Sequence, residues 1–198
     1  MLNKISKRLA KLLAKKTQSD QHQEDVYTYG LELIISTTLG FLSIIFLSTV
    51  LQELASGIVF IFFFSSLRIF VGGYHANTYG KCFIISNIAY LVVLLIKEII
   101  WKYASHNILF LGLFAIAIYF IKKAPIINEK QCISYEKQLR NRKMTRFILI
   151  IQFILISCLS NIHRELMCMA VLSVYLVALF MLISDKPMTV YNHERRVK

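Results

Sequence analysis

The sequence predicts an all-α integral membrane protein of about six hydrophobic helical segments, some of them short enough to be re-entrant, preceded by an N-terminal amphipathic helix. Three observations predict it. Hydrophobic residues make up 57% of the 198-residue chain and charged residues only 17%, against about 45–50% and about 25% in soluble domains. The apolar residues fall in long runs, such as Leu31–Leu51, Cys82–Ile96 and Leu166–Ile183, and roughly 20 helical residues cross the ~30 Å hydrocarbon core. Positive charge, finally, gathers in alternate connections between the runs. No water reaches backbone groups inside a bilayer, so spanning segments close their own hydrogen bonds as helices.

The chain reads as one membrane domain with three parts: an amphipathic cytoplasmic or interfacial helix over 1–28, a helical bundle over 31–183 and a tail over 184–198. In the first part Leu2, Ile5, Leu9, Leu12 and Leu13 recur at helical spacing, with Lys4, Lys7, Arg8, Lys11 and Lys15 over much of the remaining surface. That pattern suits a helix lying in a membrane interface. No small-residue cleavage site precedes Leu31, so the first span is expected to be retained. The six segments follow at about Leu31–Leu51, Ile58–Val71, Cys82–Ile100, Ile108–Ile121, Phe147–Ile162 and Leu166–Ile183. The second and fourth are about 14 residues, a length shared with re-entrant and buried helices.

Charge sets the expected topology. With a cytoplasmic N-terminus, twenty of the 23 Lys and Arg fall on the cytoplasmic side, and only Lys97, Lys102 and Arg164 lie outside. The positive-inside rule predicts this asymmetry and places both termini in the cytoplasm of a cell-membrane protein. Topology also accounts for most of the net charge of +12, which argues against a nucleic-acid partner. It does not require Lys137, Arg140, Arg142, Lys143 and Arg146 so close together in one cytoplasmic loop. An acidic partner or anionic lipid fits there.

Four cysteines are present, Cys82, Cys132, Cys158 and Cys168, with no Cys-x-x-Cys pair; a zinc ribbon or redox motif is therefore not expected. Cys158 and Cys168 lie in apolar runs, where a thiol packs as a small hydrophobe. Cys132 lies in a cytoplasmic loop, where thiols stay reduced. No metal or other cofactor is expected.

Chemistry concentrates in Leu67–Cys82, LRIFVGGYHANTYGKC, which holds three of the chain's seven glycines. Asn77 or Thr78 can cap the helix that follows, which puts Cys82 in or near its first turn beside Lys81. A helix N-terminus and a neighbouring cation both favour a thiolate, an environment suited to a nucleophile. His75 is the nearest general base. On one continuous helix it would stand roughly 10 Å from Cys82 along the axis, whereas a base must come within about 3 Å or act through one water. The segment must then fold back, and Gly72, Gly73 and Gly80 permit that. Spacing alone also allows the plainer reading, in which His75 hydrogen-bonds locally and Cys82 packs.

This stretch resembles the signature of the accessory gene regulator B family (AgrB), membrane proteases of Gram-positive quorum sensing. Arg68, Gly72, Gly73, His75, Ala76 and Cys82 occupy the signature's arginine, Gly-Gly-x-His-Ala core and following cysteine. A looser match is Ala124-Pro125 with Asn128, ahead of the basic stretch Lys137–Arg146; this chain has Glu129-Lys130 where the family continues to a second proline. The resemblance implies a cysteine endopeptidase with Cys82 and His75 as its catalytic pair. Cys82 would release the acidic C-terminal tail of a pheromone precursor and hold the remainder as a thioester. An internal Cys or Ser of the peptide would then close a thiolactone or lactone ring. The resemblance further implies supporting roles for Arg68 and for the Gly72-Gly73 pair, whose backbone N–H groups could serve an oxyanion. It implies tail binding by Arg140, Arg142 and Lys143, and a homodimer. Asn77 is the nearest group able to orient His75, with Glu24 and Asp25 as acidic alternatives. The competing reading is a non-enzymatic peptide exporter in which Leu67–Cys82 is re-entrant; transport would survive Cys82→Ser, and acyl transfer would not. A lipid-modifying enzyme fits less well, because no cluster of acidic residues could hold a metal.

Overall fold

The computed structural model describes residues 2–17, 21–72, 78–125 and 135–184. Seven helices run through them: α1 (Leu2–Thr17), α2 (Gln21–Val50), α3 (Leu54–Val71), α4 (Tyr79–Tyr103), α5 (His106–Lys123), α6 (Tyr135–Ile162) and α7 (Arg164–Ser184). Six of them, α2 to α7, are long and apolar enough to cross a membrane. The chain is a multi-pass helical membrane protein.

The helices are longer than the apolar runs that announce them. α3 and α5 have 18 residues each rather than about 14, which is enough to span. The basic stretch from Lys137 to Arg146, expected in a loop, forms the first turns of α6. Lys97 and Lys102, also expected in a loop, lie inside α4. Hydropathy marks only the part of a helix that apolar surroundings demand, while the backbone hydrogen-bond ladder continues into polar sequence until a cap or a proline stops it. At the end of α2, Gln52 turns left-handed (φ 59°), and Glu53 N–H returns to Ser48 C=O at 2.7 Å, closing the helix in a Schellman pattern. Ser105 caps α5 by accepting from Ile108 N–H, and Ala124-Pro125 ends it, since proline has no N–H to continue the ladder.

The chain packs as two compact units. One comprises α1, α2, α3 as far as Gly57 and α4 as far as Leu91; the other comprises α3 beyond Gly57, α4 from Val92, and α5 to α7.

In the first unit α1 folds back antiparallel along α2. Its buried face is Ser6, Ala10 and Ala14, small residues one turn apart that let two backbones approach closely. Ile5, Leu9, Leu12 and Leu13, the apolar stripe legible in the sequence, remain exposed. α1 thus has three faces: small against α2, leucine-rich beside it, and basic beyond. α2 and α4 run parallel, joined by Ser43 Oγ and Asn87 Oδ1 at 2.8 Å.

In the second unit α7 is central. Met167 to Val174 are all buried, as are Val177, Ala178 and Met181, as expected of a helix apolar all round. α5 packs on it through Gly112, where a Cβ would collide with the Tyr175 hydroxyl; that hydroxyl donates to Leu109 C=O at 2.7 Å. Arg164 donates to Ala104 C=O at 2.6 Å, so the α4–α5 and α6–α7 turns lie at one end of this unit. Lys97 is fully buried and pairs with Glu98 at 3.0 Å, the pairing that a charge in apolar surroundings requires.

Candidate active site

Cys82 lies where the first turn of α4 closes. Thr78 is the cap: its hydroxyl accepts from Lys81 N–H at 3.3 Å, and its carbonyl accepts from Cys82 N–H at 3.1 Å. Of the two caps the sequence allowed, Thr78 makes these bonds, and Asn77 lies outside the described residues. The N–H groups ahead of Cys82 have no intrahelical acceptor, which leaves the positive end of the helix dipole beside the thiol. Cys82 is a half-buried free thiol. Next to it Gly80 and Lys81 are exposed, and a Cβ on Gly80 would meet nothing within 4 Å.

A buried acid that the sequence reading did not single out lies in the same compact unit as Cys82. Glu32 of α2 is 9% exposed and accepts from Asn3 Nδ2 of α1 at 2.6 Å. Glu24 and Asp25, the acids offered by the sequence, lie at the start of α2, where Glu24 C=O accepts from Thr28 Oγ1 and Asp25 is exposed. The pairing of Glu32 was hidden because 29 residues separate it from Asn3. The available signal was a carboxylate just inside an apolar run, which in a membrane helix marks a used position.

In the second unit, Arg68 occupies the last turn of α3. Its guanidinium lies over the Phe64 and Phe180 rings, 5.5 and 5.1 Å from their centroids, a cation held between aromatic faces. Gly72 ends the helix with φ 76°, the left-handed region where any side chain is strained. Near Arg68, Gln152 of α6 is buried and donates to Phe63 C=O at 3.0 Å and to Ser66 Oγ at 2.8 Å, which fixes α3 against α6. Arg140, Arg142 and Lys143 are exposed, away from the inner stripe of α6 formed by Thr145, Leu149, Gln152 and Ile156. His75, Gly73, Asn128 and Cys132 lie outside the described residues. Cys158 is exposed on α6 and Cys168 is buried in α7. Among the described residues no group of three or more His, Cys, Asp or Glu could hold a metal ion.

Six apolar helices and a capped helix start presenting a thiol define a multi-pass membrane protein with a candidate nucleophile. The accessory gene regulator B family matches residues 6–183, and the chain belongs to that family. It is 26% identical over 167 residues to "Putative AgrB-like protein 2" of Clostridium perfringens strain 13, covering 82% of this chain and 78% of that protein. Against "Putative AgrB-like protein" of C. perfringens strain SM101 the identity is 23% over the same shares. No solved structure matches the chain.

Proposed function

We propose that this protein is a membrane cysteine endopeptidase that removes the tail of a quorum-sensing pheromone precursor and cyclises what remains. Family membership supports the processing role. The observation that carries the chemistry is Cys82 at the capped, open start of α4.

In this reading His75 takes the proton of the Cys82 thiol. The thiolate attacks the scissile carbonyl, the C–N bond breaks, and the tail leaves with a protonated amine. The peptide remains as a thioester on Cys82. The precursor's internal Cys or Ser attacks that thioester, closes the ring and returns the proton to the enzyme. Splitting one difficult step into two is the usual gain of covalent catalysis. Going from amide to thioester is uphill, so loss of the tail drives the first step, whereas exchange of that thioester for a thiolactone is nearly balanced in energy. Arg68, Gly72, Gly73 and Asn77 support the loop between α3 and α4. The active site and both termini face the cytoplasm, where precursor is made, and α1 turns its leucines toward lipid. No metal or other cofactor takes part, and two copies can associate as a homodimer.

Purified protein in vesicles, given precursor, tests the reading. Tail and cyclic peptide are expected in equal amounts; linear peptide alone would show that water is the acceptor and remove the cyclase step.

Two further outcomes follow from the charge distribution. An impermeant thiol reagent labels Cys82 in inverted vesicles and leaves it unlabelled in intact cells; labelling from outside would overturn the topology. Neutralising Arg140, Arg142 and Lys143 together raises KM for an acidic-tailed precursor about tenfold at low salt and leaves kcat nearly unchanged, since exposed charges act on encounter and are screened by salt. An unchanged KM at low salt would assign these residues to anionic lipid instead.

A further inference from the structure

We propose that Phe180 of α7, with Phe64, is a positioning residue: the two rings form an aromatic seat that holds Arg68 and, through it, the end of α3. The proposal rests on the reading of this protein as a peptide-processing enzyme. It goes beyond that reading by giving α7, which lies outside the sequence signature, a part in acyl transfer.

An arginine near the end of a membrane helix ordinarily extends its charge toward water or headgroups. Arg68 instead sets its guanidinium carbon 5.1 Å from the Phe180 ring centroid and 5.5 Å from that of Phe64. Both distances lie within the roughly 6 Å over which a ring quadrupole attracts a cation. The two rings meet edge to face, with centroids 6.0 Å apart and planes at 77°. Phe64 is one turn before Arg68 on the same helix and would follow α3 wherever it moved. Phe180 belongs to α7, the central helix of this unit, so it fixes the cation relative to the bundle. The backbone carries that restraint onward. Arg68 C=O accepts from Gly72 N–H at 3.1 Å, and Gly72, at φ 76°, ends α3 and opens the Gly-Gly-x-His stretch. Gln152 of α6 holds the turn before, through Phe63 C=O and Ser66 Oγ. The last two turns of α3 are thus tied to α6 by hydrogen bonds and to α7 by the seat.

The plainer alternative is that Phe180 merely packs. The two differ in what they require of the ring. Packing depends on its shape, whereas attraction to a cation depends on the negative charge of its face. Fluorine on the ring withdraws that charge and barely alters the shape. The same unit also contains a control: Phe110 and Phe153 join α5 to α6 edge to face, with centroids 5.8 Å apart.

The experiment measures tail release in vesicles for protein carrying singly, doubly or triply fluorinated phenylalanine at position 180, and for Phe180→Leu, Phe180→Tyr and Phe153→Leu. The trifluorinated ring and Phe180→Leu are each expected to lower kcat about tenfold, with KM within about twofold, the loss expected of a cation–π contact shielded from water. The singly and doubly fluorinated rings fall between, in order of fluorine number. Phe180→Tyr keeps the ring face and stays within about threefold, and Phe153→Leu within about twofold. A flat fluorination series, an equal loss in Phe153→Leu, or a loss confined to KM would overturn the proposal. A second arm needs no substrate. Thermal midpoints in detergent are compared for Phe180→Leu, Arg68→Gln and the double variant. Phe180→Leu should lower the midpoint about 2–4 °C more when Arg68 is present than when it is Gln, because the contact is lost only once. Additive shifts would overturn the seat. Wild-type protein that releases no tail would sink the functional reading, while the midpoints would still decide whether the rings hold Arg68.

Discussion

Replacing Cys82 with Ala lowers tail release by about four orders of magnitude or more, the scale on which enzymes lose activity when a covalent nucleophile is removed. No other described thiol can substitute: Cys158 is exposed on α6 and Cys168 is buried in α7. Cys132→Ala, Cys158→Ala and Cys168→Ala each retain activity within about threefold, Cys168→Ala at some cost in stability for the vacated core space. His75→Ala loses roughly 10²–10⁴-fold, the usual contribution of a general base. Both variants insert into the membrane at wild-type levels, since Cys82 lies at an open helix start rather than in a packed core. Near-normal cleavage by Cys82→Ala would remove it as nucleophile.

The second large effect is on the fold. Gly57, in the first turn of α3, lies so close to α2 that a Cβ there would stand 2.5 Å from Ser48 Oγ and 2.6 Å from Ser48 Cβ. Ser48 is fully buried, and its hydroxyl donates to Ile45 C=O at 2.8 Å. The hydroxyl could rotate away, but the Cβ moves only with the backbone of α2. Gly57→Val therefore drives the two helix ends apart, at about 1–3 kcal/mol by the usual cost of overpacking, read as a lower thermal midpoint in detergent. Ser48→Gly in the same chain should recover much of the loss. A Gly57→Val protein as stable as wild type would show that α2 and α3 do not meet this closely.

Much of the fold was legible in the sequence, for a physical reason. A bilayer imposes one simple requirement, about 20 apolar residues per crossing; four of the six runs from Leu31 to Ile183 approach it, while the two of about 14 residues reach spanning length only as the 18-residue helices α3 and α5. Helix ends were less legible, because Tyr135–Arg146 and Leu54–Gly57 become helical through backbone bonding and packing rather than hydropathy. α1 illustrates the same limit from the other side. Its leucines made the amphipathic pattern, whereas packing on α2 uses Ser6, Ala10 and Ala14, whose smallness carries no hydropathy signal. Lys97 was placed in a loop because a charge ordinarily ends a span; a fully buried lysine with its Glu98 partner is a property of three-dimensional packing.

At the site, legibility followed sequence distance. Thr78 and Cys82 are close in the chain, so a cap and a first-turn thiol could be read from local pattern. Arg68 was visible as a charge beside an apolar run, but its setting was not, since Phe180 comes from another helix 112 residues away. Glu32 escaped for the same reason. Contacts between distant segments leave no periodic trace in a single chain, and only a misplaced charge pointed toward them.

The central claim is that Cys82 carries the peptide as a thioester. The direct test is the mass of the protein after reaction with a precursor whose ring-closing Cys or Ser is changed to Ala. Such a peptide can be cut but not cyclised. The tail should be released once per active site, and the protein should gain the mass of the N-terminal part of the precursor. Peptide mapping should place the adduct on Cys82, and hydroxylamine at neutral pH should remove it far faster than it would cleave an amide. Repeated full-speed turnover of that precursor to linear product, with no adduct on Cys82, would contradict the account.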